Sequence, residues 1–526
     1  METTIRKYPV GIQTFDRVIR EGYIYIDKTD LVWQLAHYAT FIFMSRPRRF
    51  GKSLLTSTLE SYFRGEKDLF SGLRIMEMET EWQQYPVIHL DLSIVKGKES
   101  AEELQRAINL MLKRQEEDED PDEVTPGEKL DGMIRRLYAS TGKQVAVLID
   151  EYDAPLLDVI HHNDTLSAMR RVLQEFYQPL KANERFIKFC FITGITKFSQ
   201  LSIFSTINNI KNISLLPQFA TTCGFTEEEV KTVFREDIQR LAKDYQLPEE
   251  KMYDKIKLQY DGYHFAGNAE AVFNPFSLLN AFGDGELQSY WFASGTPTFL
   301  ISQMQRFHTD ITSLDTLEVP SSAFDQPTEN MLDALPLLYQ SGYLTIKDYD
   351  RESGTYTLSL PNQEVRVGYT RGLLPTYVGL SDADVQTGFA LKFWRALKAN
   401  DIDLAMTHMQ AYLAGIPYVE GFKQKLAEAK TREGFYEYTF YLIFSMLNVY
   451  VRTQVKVAGG RVDMIVLMPD TIYVMEMKVG DSAEHALRQI NEKGYAKAYE
   501  TDGRRVVKVG IRFDPDQHTV DEWVTD

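Results

Sequence analysis

The stretch Phe41–Leu55, FIFMSRPRRFGKSLL, constrains this chain more than any other. The apolar run Phe41 to Met44 suits a short buried strand. A basic turn, Ser45 to Phe50, interrupts it, and Gly51-Lys52-Ser53 then opens an apolar helical pattern. Strand, turn and helix in that order present unpaired backbone N–H groups and the positive end of a helix dipole to an anion. This is the setting of a phosphate loop, in which Lys52 reaches the β- and γ-phosphates of ATP and the Ser53 hydroxyl ligates Mg²⁺. The pattern G-x-x-x-x-G-K-[ST] is broken at its first glycine, where Arg46 stands.

Partners for such a loop lie downstream. Gln144-Val-Ala-Val-Leu-Ile-Asp-Glu151 reads as a fully buried strand with acids at its carboxyl end. Asp150 there can hold the Mg²⁺ shell beside Ser53, and Glu151 can orient or deprotonate the attacking water. Thr193, or Thr196 with Lys197, ends the next strand, either as a γ-phosphate sensor or as a turn residue. Arg48 and Arg49 either contact phosphate, compensating with Arg46 for the missing glycine, or pair with nearby acids. Strands at Val87–Leu92, Gln144–Asp150, Phe186–Thr193 and Ile213–Leu216 alternate with helices, which predicts an α/β fold around a mainly parallel sheet. Ile24–Asp27 reads as a further short strand, and Asp30–His37 as a helix that can cover a base.

The formal net charge of −17 excludes a surface coated throughout by nucleic acid, but not a local basic groove. The two cysteines, Cys190 and Cys223, have no metal-binding spacing and fit a reducing compartment. No apolar run reaches the length of a membrane span, and METTIRKYPVG lacks the apolar stretch of a signal peptide. A cytoplasmic protein without a membrane partner is expected.

After about residue 221 the pattern turns helical, with Thr226 and Glu229 forming a capping box. Asn330–Gln340, Gly342–Lys347 and Tyr356–Leu360 spell a helix and a two-stranded wing, read as a packing module ahead of a DNA-binding one. The boundaries are 1–220 for the phosphate-loop core, 221–320 for a helical lid, 321–385 for the winged module, 386–430 for a helical connector and 431–526 for a C-terminal domain.

That last domain reads helix (Tyr436–Leu447), three strands, helix (Ser482–Tyr499), strand. A tight turn centred on Pro469 and Asp470 places Asp463 directly opposite Glu476, with Cβ atoms ~5 Å apart. Lys478, two residues on, shares that face. Two carboxylates to hold Mg²⁺ and a lysine to position water or stabilise pentavalent charge suit phosphodiester cleavage. Gln489 and Glu437 are further candidates for this site.

The two halves together resemble a known family. Asp27–Thr29 (DKT), Arg46–Ser53 (RPRRFGKS), Leu148–Asp153 (LIDEYD), Thr193–Ser199 (TGITKFS), Tyr260–Phe265 (YDGYHF) and Asn274–Leu279 (NPFSLL) resemble the AAA-ATPase-like family of bacterial P-loop proteins. Gly460–Asp463 (GRVD), Glu476–Lys478 (EMK) and Gln489–Ala496 (QINEKGYA) are similar to the PD-(D/E)xK nuclease superfamily domain. The resemblance implies an ASCE-type P-loop core and a C-terminal αβββαβ nuclease-like domain, which join the helical lid and winged-helix-like middle region read above in an α/β chain. Arg46 agrees with this family. The expectation is an ATP- and Mg²⁺-dependent protein acting on nucleic acid, DNA first, at its C-terminal domain, with room for a homo-oligomer. The alternative is a nucleotide switch whose C-terminal domain binds nucleic acid or a partner without cutting. A role tied to mobile elements is not separable from the first reading.

Overall fold

A computed structural model describes residues 6–115, 120–160, 162–196, 209–291, 314, 317–325, 333–369, 383–414, 450–457, 460–468, 470–514 and 519–526. The expected helix Tyr436–Leu447, the candidates Lys197 and Glu437, and Pro469 lie outside the described residues. The chain forms two compact units, Met1–Trp291 with Glu318–Asn362, and Phe292–Leu317 with Gln363–Asp526.

The first unit is built on five parallel strands, β1 (Phe41–Ser45), β2 (Val87–Asp91), β3 (Val145–Asp150), β4 (Ile187–Gly194) and β5 (Lys211–Asn212), in the order β2-β3-β4-β1-β5. Strand β4 lies between the strand that feeds the phosphate loop and the strand that ends in Asp150, the inserted-strand order of an ASCE-type core. Alternation along the strands divides the helices between the two faces. Ile88, Leu90, Val147 and Ile149 join Phe41, Phe43 and Ile192 in one apolar cluster with the helices Ala101–Lys113, Pro126–Thr141 and Asn163–Ala182. The opposite face carries the helix Lys52–Phe63, backed by Phe15–Arg20 and Thr29–Tyr38.

Helix boundaries follow local chemistry. Thr125 and Glu128 close a capping box at the start of Pro126–Thr141, and Gly142 ends that helix in the left-handed region. Thr226 and Glu229 do the same for Glu227–Val233, as the sequence predicts. Ile24–Asp27 is not a strand. Its residues serve as anchors, with Ile26 buried in the core of the helices that follow residue 226. Asp27 accepts from Thr29 N, Thr29 Oγ1 and Arg74 N, and Thr29 Oγ1 accepts from Ile75 N. The DKT motif therefore pins a helix start rather than standing open to a base. The fifth strand lies at Lys211–Asn212, just ahead of the predicted Ile213–Leu216.

The helix Leu335–Gln340 precedes the hairpin of β7 (Thr345–Asp350) and β8 (Thr355–Ser359), with β6 (Leu317–Pro320) as third strand in the order β6-β8-β7. Lys347 Nζ donates to the Gly262 and Pro361 carbonyls, and Thr345 Oγ1 bridges both backbone polar groups of His264. These bonds tie the hairpin to the YDGYHF segment.

The second unit carries a five-stranded sheet, β13-β12-β11-β10-β9, formed by β9 (Tyr450–Val457), β10 (Gly460–Leu467), β11 (Thr471–Val479), β12 (Arg505–Asp514) and β13 (Thr519–Thr525). β13, antiparallel to β12, is an addition to the expected αβββαβ order. The predicted helix Ser482–Tyr499 stops at Lys493, where Gly494 takes a left-handed turn. The helices Ala383–Lys398 and Ile402–Ala414 belong to this unit rather than to a connector. Tyr473 Oη reaches the Leu397 carbonyl, Thr519 Oγ1 the Gln410 carbonyl and Trp523 Nε1 the Asp403 carboxylate. Among the described residues, no helix is long and apolar enough to cross a membrane.

Candidate functional site

The phosphate loop joins β1 to the helix Lys52–Phe63. Its two left-handed residues are Arg49 (φ 70°) and Gly51 (φ 86°), the latter at the helix N-cap. Arg46 has ordinary backbone angles, so the turn needs no glycine there. The Arg46 side chain is 2% exposed and points inward. It donates to the carbonyls of Ser45 (2.9 Å), Ser214 (2.9 Å) and Phe219 (3.0 Å), and its guanidinium lies 4.4 Å from the Phe265 ring centroid. The expectation that Arg46 contacts phosphate is therefore corrected: its donors tie the end of the sheet to the segment after β5. Burial lowers its pKa.

Arg48 and Arg49 remain exposed. Arg49 rests 4.3 Å above the Phe276 ring, and Phe50 packs edge-on against Tyr263 and Phe265. The motifs YDGYHF and NPFSLL thus supply the aromatic surfaces that shape this loop. The sequence signal for this arrangement is the arginines of one motif set against the aromatic residues of the other two.

Lys52 is 5% exposed and its Nζ donates to the Pro47 carbonyl at 3.1 Å, curled over the loop. Asp150 is 3% exposed at the end of β3. Burial pushes its carboxyl above the ordinary range, while a hydrogen bond from Ser53 and the charge of Lys52 pull it back. Glu151 follows in the left-handed region (φ 48°), with its N–H on Asp150 Oδ1 at 2.8 Å. Burial raises Glu151 too, against the pull of Lys52. The structure therefore brings Lys52, Ser53, Asp150 and Glu151 together, a set able to hold a cation and the phosphates of a nucleotide.

Thr193 is different. Its hydroxyl is buried and donates to the Met44 carbonyl at 2.9 Å, tying β4 to β1. The Thr196 hydroxyl is held by Asp153 Oδ2 at 2.6 Å. Asp153, the last residue of the LIDEYD motif, is fully buried and also accepts from Ile195 N and Thr196 N. It fixes the segment after β4 against the acid turn.

In the second unit, β10 and β11 pair as Met464↔Met475, Ile465↔Val474, Val466↔Tyr473 and Leu467↔Ile472, the register expected from the turn. Asp463 N approaches Glu476 Oε2 at 3.4 Å, and Met477 N donates to Asp463 Oδ2 at 2.8 Å. Lys478 Nζ sits 3.1 Å from Glu476 Oε1, and Gln489 Nε2 donates to that same oxygen. Glu476 is 2% exposed. Burial first, then the charge of Asp463, raise its pKa to about 7. Two facing carboxylates, with the charge of Asp463 raising the proton affinity of Glu476, form a donor set that fits a divalent cation, with Lys478 beside it. Among the described residues no group of three or more His, Cys, Asp or Glu converges to metal-ligand distance.

Gly510 is a residue that sequence reasoning missed. It pairs with Glu476 across β11 and β12, and a Cβ there would meet the Ala483 carbonyl at 2.2 Å and Leu487 N at 2.7 Å. Only glycine lets the helix Ala483–Lys493 settle low enough for Gln489 to reach Glu476. Gly510→Val should destabilise the unit by about 1–3 kcal/mol, the usual cost of overpacking, measurable as a lower denaturation midpoint.

The raised Glu476 pKa gives a second expectation. A cation needs the ionised carboxylate, so metal affinity should fall about tenfold per pH unit below pH 7. Titration calorimetry in buffers of different ionisation enthalpy should show proton release at pH 6.5 and almost none at pH 8.5. Without metal, the raised pKa has the opposite effect on folding. Its contribution to stability is full below the ordinary value of 4.5 and is lost as pH rises through about 7.

Comparison with known proteins followed the same division. Residues 9–204 match the AAA-ATPase-like family, described as a predicted AAA-ATPase, and residues 431–523 match the PD-(D/E)XK nuclease superfamily. A relative from Azotobacter chroococcum mcd 1, described as an uncharacterized protein in the vnfD 5' region, is 33% identical over 540 residues, covering 99% of each chain. No solved structure matches.

Proposed function

The chain belongs to the AAA-ATPase-like family with a C-terminal PD-(D/E)XK nuclease superfamily domain, and from that premise we propose that it hydrolyses ATP in its first unit and cleaves nucleic acid, DNA first, in its second. The observation that supports this reading is the Asp463–Glu476–Lys478 constellation, in which a buried Glu476 faces the half-buried Asp463 and Lys478, unlike the fully solvated partners of a surface salt bridge.

In the first unit Lys52 and the helix N-terminus neutralise phosphate charge, Ser53 and Asp150 would hold Mg²⁺, and Glu151 accepts a proton from water. Arg48 and Arg49 stand exposed at the loop, where phosphate can reach them; Gly51 provides the left-handed turn that brings the helix N–H groups to it. In the second unit Asp463 and Glu476 would hold Mg²⁺, which when bound supplies a Lewis acid for phosphodiester hydrolysis. Lys478 stabilises the charge that builds on phosphorus oxygens, and Gln489 keeps Glu476 oriented.

The second reading, a nucleotide switch whose C-terminal domain binds nucleic acid without cutting, draws on a specific observation: among the described residues only two acids face one another there. One assay separates the two. Purified full-length protein is incubated with plasmid DNA, single-stranded DNA and RNA, in Mg²⁺ or Mn²⁺, with and without ATP, beside Glu476→Ala. Metal-dependent cleavage lost in Glu476→Ala supports the nuclease; binding with no cleavage of any substrate supports the switch. In parallel, Lys52→Ala should lose ATP binding, and unchanged ATP affinity would remove the phosphate-loop assignment.

A further inference from the structure

The phosphate-loop site has a neighbour that its motif does not contain. β2 and β3 run parallel and in step, Leu90 beside Ile149 and Asp91 beside Asp150, so two adjacent strands end on carboxylates at the same level. Ile88 and Leu90 enter the apolar cluster on one face of the sheet, which turns His89 and Asp91 to the other. That other face carries the phosphate-loop helix, as the 2.7 Å contact between the His89 ring and Glu60 fixes independently. The helix runs antiparallel to the strands. Moving from His89 to Asp91 therefore moves from Glu60 toward the end that bears Lys52 and Ser53.

Asp91 caps the short 3-10 turn Leu92–Val95 by accepting from Ser93 N at 2.9 Å. That role occupies Oδ1. Among the described residues, Oδ2 accepts no hydrogen bond, and the side chain is partly exposed. Its charge is felt at Asp150. Among the described residues no third His, Cys, Asp or Glu joins Asp91 and Asp150 at metal-ligand distance, and the role argued for Asp91 is to hold the water around a cation.

We propose that Asp91 is the third acid of the nucleotide site, a positioning residue that accepts hydrogen bonds from water in the hydration shell of a divalent cation accompanying a nucleoside triphosphate, across from Ser53. This rests on the reading of the Lys52–Ser53 loop as a nucleotide site. Hydrated cations of this kind keep several waters, and the carboxylates that hold those waters order the ligands themselves.

The test is nucleotide binding, not turnover. Binding of a fluorescent ATP analogue is titrated against Mg²⁺, and in EDTA, for wild type and Asp91→Asn. The asparagine keeps the oxygen that caps the turn, and thermal melts of both proteins verify the fold. Asp91→Asn should need about tenfold more Mg²⁺ than wild type for half-maximal enhancement over its own binding in EDTA, the usual scale for losing a group behind the metal ligands. An Mg²⁺ dependence identical to wild type overturns the proposal and leaves the nucleotide site standing. Absence of nucleotide binding by the wild type, with or without Mg²⁺, overturns the nucleotide site and this proposal with it.

Discussion

Asp463→Asn is expected to reduce metal-dependent cleavage of nucleic acid by about 10³-fold, the rate equivalent of several kcal/mol of charge stabilisation. Asparagine is the informative substitution because Asp463 has two duties. Its Oδ2 accepts the Met477 N–H, which helps lock β10 to β11, and an amide oxygen keeps that bond. Alanine would orphan a buried donor and confuse folding with chemistry. What asparagine removes is the negative charge facing Glu476. Since that charge helps raise the Glu476 pKa, the variant should also titrate Glu476 below about 7. Two independent readouts follow: loss of cleavage at fixed metal, and a downward shift of the Glu476 carboxyl resonance in carbon NMR. Wild-type cleavage by Asp463→Asn would refute a two-carboxylate centre.

Glu151→Gln should leave ATP binding intact and slow hydrolysis by about 10²–10⁴-fold, the contribution of a positioned general base. The substitution is close to isosteric, and the Glu151 N–H bond to Asp150 involves only backbone on the Glu151 side, so the turn persists. In wild type, burial lifts the Glu151 pKa, and the base must be ionised to act. Hydrolysis should therefore rise with pH through a value above the ordinary 4.5 of glutamate, and this acid limb should be weakened in the variant, which has lost the base that titrates there. A variant that hydrolyses ATP at the wild-type rate would assign the base elsewhere.

Much of this was legible in the sequence because the signals were local. A strand, a basic turn and Gly51-Lys52-Ser53 place the phosphate loop without reference to anything distant. Five apolar residues ending in Asp150-Glu151 place the acid strand. The turn after Met468 fixes register, and register alone puts Asp463 opposite Glu476, because side chains on paired strands alternate strictly between faces.

Contacts between distant segments had no such signal. Arg46 reads as a phosphate ligand by position, yet the carbonyls of Ser214 and Phe219, far along the chain, draw its guanidinium inward. Thr193 reads as a sensor or as a turn residue, and strand order sets it beside Met44, whose carbonyl takes its hydroxyl. Neither Asp91 nor Gly510 stands in a motif with assigned chemistry. Asp91 matters because β2 pairs with β3, and Gly510 because a helix crosses its strand at backbone contact. Residue type and spacing thus determined which groups can carry phosphate and metal chemistry. Strand order and helix packing decided which of them face the site and which close the core, since a side chain's hydrogen-bond partners are set by what folds against it and not by its neighbours in the chain.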